Sequence, residues 1–146
     1  MLVPSKKIFY AIEAVLYIAY NTKAGPVSGG DIAAAQALPT RYLEPMMQKL
    51  VRVGILKGVR GPQGGYILGR ERRRISLADI CDTLAEDADL PTGATAFGDK
   101  ILRPTATELM ARWREQLGTV TIATLCERAT EQRIPTAHET ANDFTI

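Results

Sequence analysis

Cysteine and histidine are scarce in this 146-residue chain, which has two Cys, Cys81 and Cys126, and a single His, His138. Two thiols in helix-like stretches make no disulfide framework and suit a reducing compartment. One imidazole in a polar tail cannot anchor a zinc set or a nucleophile–base dyad. A phosphate loop is missing as well, because no Lys-Ser/Thr follows the glycines at 61, 64 and 65. With no nucleophile, base or metal set, no enzyme is expected. Long apolar runs are also lacking: Ala11 to Tyr20 is interrupted by Glu13 and falls short of a bilayer span. Lys6 and Lys7 before it suggest a secretory leader, but no small-residue cleavage site follows, so a cytoplasmic protein with no membrane partner is expected.

What is present is a division of charge. The net charge of +2 hides two unlike halves, since residues 1–75 hold 12 Lys/Arg against 4 Asp/Glu and residues 76–146 hold 6 against 12, giving +8 and −6. A first half facing a polyanion follows, with nucleic acid ahead of a membrane surface. The composition, 46% hydrophobic and 23% charged, is that of one globular domain, and the length allows one compact core plus a dimerisation element.

Helical spacing of Ile8, Ile12, Val15 and Ala19 after Ser5 predicts a first helix. Ser28 and Asp31 form a cap-like pair opening a short second helix. After Ala37-Leu38-Pro39, residues 40–53 place Leu43, Met46, Met47, Leu50 and Val51 on one face of a third. The β-prone runs 55–60 and 66–68 flank a Gly/Pro turn and read as a hairpin. Ser76 with Asp79 caps a helix whose inward stripe is Leu77, Ile80, Cys81 and Leu84, and core packing is the favoured role of both Cys81 and Cys126. Residues 86–100 read as one long loop. Pro104 suits the first turn of a helix bearing Ala106, Leu109, Met110, Trp113 and Leu117 and interrupted at Gly118. A last helix carries Ile122, Leu125, Cys126 and Ala129, and residues 135–146 read as a flexible polar tail.

Three helices followed by a hairpin, all in the basic half, give the fold expectation: mainly α with a small β-hairpin wing, a winged helix-turn-helix domain plus a long dimerisation helix. The expected divisions are 1–75 for DNA binding, 76–134 for a linker helix, sensor-type loop and dimerisation helices, and 135–146 for the tail. A major groove admits one helix. Thr40, Arg41, Tyr42 and Glu44 stand at the N-terminal end of the third helix, where base edges and phosphates are met. The turn Arg60-Gly61-Pro62-Gln63-Gly64-Gly65-Tyr66 describes a wing tip, with Arg60 suited to a narrow groove or a phosphate. Blander readings stand beside these: a solvated face for Arg41 and Glu44, an ordinary hairpin turn, and a solvated cluster rather than a phosphate site for Arg70 and Arg72–Arg74. A protein-binding adaptor on the same scaffold is the alternative function, and the +8 half argues against it.

Tyr42-Leu43-Glu44, Gly54-Ile55-Leu56, Val59-Arg60-Gly61-Pro62, Gly64-Gly65-Tyr66 and Ile75-Ser76-Leu77-Ala78-Asp79-Ile80 together resemble the Rrf2 family of bacterial regulators. The likeness runs on to Val120-Thr121-Ile122, so it spans almost the whole chain. It implies a homodimer on a near-palindromic operator in double-stranded DNA, with Leu109, Met110, Trp113 and Leu117 at the dimer interface. By the same resemblance Lys7, Ser28, Thr40, Arg41, Tyr42, Glu44 and Arg60 fall at DNA, joined in the candidate set by Lys49 and the wing residues 61–66. Two departures matter. Pro39 stands where the family often has a capping serine, and Pro45 cannot donate a backbone hydrogen bond, which predicts a late-starting or bent recognition helix. Cluster-binding members carry three cysteines before the dimer helix, whereas Asp87 to Arg103 holds neither Cys nor His, so no cluster or other cofactor is expected. The signal is then left to a small-molecule effector in the cleft beside the dimer helix, to thiol oxidation, or to the protein's own abundance.

Overall fold

A computed structural model describes residues 5–86 and 90–143. Seven helices and one hairpin are described, and the architecture is a winged helix-turn-helix with an outlying helical arm. Helix α1 (Lys6–Tyr20) starts where the Ser5 hydroxyl accepts from the Ile8 amide at 3.4 Å. Its deepest stripe is Ala11, Ala14, Val15 and Ile18, whereas Ile8 and Ile12 are only half buried. The difference from the expected face has a packing cause. Helix α1 is touched by α2 (Gly29–Gln36), α3 (Thr40–Arg52), α4 (Leu77–Leu84), α6 (Ile122–Glu131) and the wing, and its alanines let those backbones come close.

The turn between α2 and α3 is decided locally. Ser28 caps α2 by accepting from the Asp31 amide at 3.1 Å. Ala37 then takes a left-handed conformation, φ 51 and ψ 41, so that the Leu38 amide reaches the Ala33 carbonyl at 2.9 Å and Ala37 reaches Ala34 at 3.2 Å. Helix α3 begins at Thr40 in spite of Pro39 and runs to Arg52 with Pro45 inside it. Of the late start or bend that was expected, the late start is not found: the Tyr42 amide bonds the Pro39 carbonyl at 2.9 Å, supplying the first turn without a side-chain cap.

The wing pairs β1 (Leu56–Val59) with β2 (Gly65–Leu68) in antiparallel register, Leu56 opposite Leu68 and Val59 opposite Gly65. Its tip is a tight turn, with the Gly64 amide on the Gly61 carbonyl at 2.9 Å and Pro62 and Gln63 at the corners. Val27 adds a third strand position by pairing with Tyr66, amide to carbonyl at 3.0 and 2.8 Å. Met46, Met47, Leu50, Ile55, Leu56, Ile75, Ile80 and Ile122 close the core around Val15 and Ile18 of α1.

Beyond the wing, Ser76 and Asp79 form a full capping box on α4, the two bonds measuring 2.9 and 3.1 Å. On α4 the buried positions are Ala78, Ile80 and Leu84, while Leu77 and Cys81 are half buried. The connection after α4 is shorter than the expected loop, because the backbone turns helical at Ala96 and passes through a wide turn, Gly98–Leu102, straight into α5 (Arg103–Thr119). Pro104 sits near the start of α5 as expected, and Gly118 lies within the helix instead of interrupting it. The tail also departs from expectation. Residues Ala137–Asp143 form α7, and the Ala137 amide donates to Oδ1 of buried Asn21 at 2.6 Å, tying this end of the chain to the end of α1. The rest of the expected flexible tail, residues 144–146, lies outside the described residues.

Candidate nucleic-acid interface

The buried stripe of α3 is Leu43, Met46, Met47 and Leu50. At 3.6 residues per turn the opposite stripe is Arg41, Glu44, Pro45, Gln48 and Arg52, all exposed. Gln48 was missed in the sequence reading, although its position one turn beyond Glu44 was a usable signal. Lys49 is exposed but lies on the flank that carries Tyr42, away from Thr40 and Glu44.

The structure brings three elements together at one cleft. The glycines that open α2, Thr40 and Glu44 of α3, and Tyr66 of β2 line a depression of about 280 Å³. Ser28, half buried, caps α2 at its edge. Burial first, and then the Glu44 carboxylate, pushes the Tyr66 phenol up from its ordinary value, so the hydroxyl is a protonated donor at neutral pH. On the other side of α3 a shallow apolar depression of about 460 Å³ is lined by Tyr10, Leu38, Pro39, Arg41 and Tyr42. Tyr10 and Tyr42 meet edge to face there at 6.2 Å. Neither depression lies in the cleft beside α5 that was one of the open alternatives for a signal.

At the wing, Arg60, Gly61, Pro62 and Gln63 are exposed, and Gly64, Gly65 and Tyr66 are half buried. Two of these glycines are needed for close approach of backbones. A Cβ on Gly64 would stand 2.2 Å from the Val59 carbonyl oxygen, and one on Gly65 would stand 2.3 Å from that of Val27. The wing is thereby docked on the strand position just ahead of α2, and its tip projects from the body.

Lys7 is engaged elsewhere, with its ammonium 3.6 Å from Glu86 at the exit of α4. Exposed pairs of this kind contribute roughly 0–1 kcal/mol. If Lys7 serves DNA, Glu86 competes for it, and Glu86→Gln is expected to tighten DNA binding by up to about fivefold at low salt, an effect fading above about 0.3 M. Unchanged affinity at low salt, measured by fluorescence anisotropy, would remove Lys7 from the interface. Three of the four arginines after the wing have neighbours within the fold: Arg70 lies 3.7 Å from Asp79, Arg73 pairs with Glu71, and Arg72 lies beside the Cys126 thiol.

Helix α5 differs from α1–α4 and α6, since none of its 17 residues is buried. Leu109, Met110 and Trp113 are 47%, 39% and 41% exposed, and Leu117 is half buried. Phe97, Ile101 and Leu102, not foreseen from the sequence, prolong this apolar surface at 78%, 58% and 65% exposure. The arm is clamped to α4 by Arg114, whose Nε donates to both oxygens of Asp82 at 3.1 and 3.0 Å.

A profile of the Rrf2 family, described as "Iron-dependent Transcriptional regulator", matches residues 4–128. The chain belongs to the Rrf2 family. Over 97 residues, 64% of its length, it is 36% identical to the HTH-type transcriptional regulator IscR of Escherichia coli strain K12 / DH10B, and the match spans 60% of that relative. Among solved structures it is similar to T. potens IscR, at TM-score 0.74 and 30% identity over 93% of this chain and 94% of that one. It is also similar to CymR (YrzC), the global cysteine regulator of B. subtilis, at TM-score 0.72 and 29% identity over 88% and 98% of the two chains. No helix among the described residues is long and apolar enough to cross a membrane.

The iron in the family description calls for donors, and this Rrf2 chain offers poor ones. Between 87 and 103 there is neither Cys nor His. Cys126 is 3% exposed, and burial pushes the thiols of Cys81 and Cys126 up, against the thiolate form that iron–sulfur clusters take. Among the described residues no three His, Cys, Asp or Glu side chains are grouped to hold a metal ion. The residues present do not fit a resident iron centre.

Proposed function

We propose that the chain is a sequence-specific DNA-binding transcription regulator, acting as a repressor and binding a near-palindromic operator as a homodimer. The observation that carries this reading is the convergence of the α2 N-terminus, the exposed end of α3 and the wing strand on one cleft within the half of the chain that is net +8. Arg41, Glu44 and Gln48 read base edges in the major groove, since Arg pairs with guanine, Glu accepts from cytosine, and Gln serves adenine. Thr40, Tyr42, Ser28, Lys7 and Lys49 hold the backbone. Arg60, with the tight turn through Gln63 behind it, enters the neighbouring narrow groove. Residues 76–134 form the dimerisation part. The support there is the apolar surface of α5, which a second copy would cover with the same surface turned by a two-fold axis. In a two-fold dimer the two recognition helices present themselves to half-sites one or more helical turns apart.

Selection of genomic fragments on the purified protein tests this directly. The expected product is a set of fragments sharing a two-fold repeat, protected in footprinting at both half-sites. On that site the log–log salt slope should be near −5, corresponding to about six neutralised phosphates. Arg60→Ala should cost about 1–3 kcal/mol on the operator and less on unrelated DNA. Equal losses on both would make Arg60 a phosphate contact, and fragments with no shared sequence would favour an adaptor.

A further inference from the structure

Two polar clamps hold the arm formed by α5. One is Arg114 on Asp82, and the other closes the connection through which the chain enters the helix. Arg103 Nη1 donates to the Leu90 carbonyl at 3.3 Å, and its Nη2 donates to the Pro91 carbonyl and to Asp99 Oδ1, the latter at 3.0 Å. The same carboxylate oxygen accepts from the Gly93 amide at 3.1 Å. Gly93 can point that amide inward because its φ of +74 is open to glycine. Thr95 then starts the helical run, its hydroxyl accepting from the Gly98 amide at 3.1 Å and its carbonyl from Asp99 at 3.0 Å. One guanidinium therefore ties residues 90, 91 and 99 together at the foot of α5.

We propose that this protein-only staple sets the path of the chain into α5, and that the regulator therefore engages its operator without iron. The second part rests on the DNA-binding reading above. Among the described residues of the connection the carboxylates are already committed, Asp99 to Arg103 and Gly93, and Glu86 to Lys7. A metal ion would have to displace a guanidinium already bonded to two backbone carbonyls. The staple is also insensitive to physiological pH. The Gly93 amide first, and then Arg103, hold the Asp99 carboxyl below its ordinary value of 3.8. Because the folded value is depressed, the bond is present above that value and is lost only as the pH falls below it.

The test uses the full-length protein, prepared with ferrous iron under anaerobic conditions and separately with a chelator. Three quantities are read: iron per protomer, operator affinity, and the rate of chymotrypsin cleavage at exposed Phe97. Well under one iron per protomer and the same affinity in both preparations are expected. Arg103→Ala and Asp99→Ala should each be cleaved about tenfold faster or more, with unchanged far-UV circular dichroism, because local opening follows the loss of local contacts. Arg103→Lys, which keeps the charge but not the fork, should fall between. Cleavage of Arg103→Ala at the wild-type rate would overturn the staple. One bound iron per protomer with a tenfold change in affinity would overturn iron independence. Failure of every preparation to bind DNA would instead sink the DNA-binding reading, while the cleavage rates still report on the staple.

Discussion

Gly65→Ala is expected to detach the wing while leaving the helices folded. The new Cβ would meet the carbonyl oxygen and carbon of Val27 at 2.3 and 2.5 Å and the Ser28 amide nitrogen at 2.8 Å, all of them backbone atoms. No side chain can swing away to relieve this, so the paired amides and carbonyls of Val27 and Tyr66 must separate. Breaking the pairing costs two hydrogen bonds at about 1 kcal/mol each, and holding it costs an overpacking term of about 1–3 kcal/mol instead, so a loss of roughly 2–3 kcal/mol is expected either way. The chain can limit the loss by releasing the wing, which is then seen as faster amide exchange at Tyr66 and Ile67. A fall in Tm of about 6–12 °C should accompany it. Operator affinity should drop about tenfold or more, because Arg60 is no longer presented at a fixed height. Gly58→Ala is the matched control, since a Cβ there meets nothing within 4 Å. If Gly58→Ala and Gly65→Ala behave alike, close packing of the wing on Val27 is not what positions it.

Trp113→Asp should convert the proposed dimer to a monomer with its fold intact. Ordinarily a charge placed on a large apolar side chain threatens the core, but no residue of α5 is fully buried within its own chain, and Trp113 is 41% exposed. The variant should keep its thermal transition at low protein concentration and sediment as a monomer. Binding then passes from two linked half-sites to one. Linkage of two sites is worth about 10²–10⁴ in affinity, so a loss of that size is expected on the operator, with the salt slope falling to about half. A variant that still sediments as a dimer would place the interface away from α5.

Much of the fold and of the candidate site was legible because the forces that decide them act within a few residues. Ser76 and Asp79 stand three apart, and the capping box they predict is formed. The α3 stripe of Leu43, Met46, Met47 and Leu50 follows from helical spacing, and it leaves Arg41 and Glu44 facing out. Less legible was the face of α1, where several helices approach at once and small alanines, not the larger Ile8 and Ile12, go deepest. The helical tail was misread because its anchor is Asn21, 116 residues earlier. Polar composition says nothing about so distant an acceptor. The partner of Lys7 was hidden for the same reason, and the start of α3 at Thr40 removes the late start, though not the bend, that its prolines suggested.

Composition and order alone determined the basic and acidic halves, the succession of three helices and a hairpin, and the want of thiols and imidazoles between α4 and α5. Charge, periodicity and capping are properties of neighbours along the chain, so they survive without coordinates. The tertiary structure decided which glycines must stay glycine, which of the exposed side chains share one cleft, and how Arg103 closes the approach to α5. Those depend on backbones brought within bonding distance by the collapse of the core, and a contact between remote segments leaves no periodic trace in either of them.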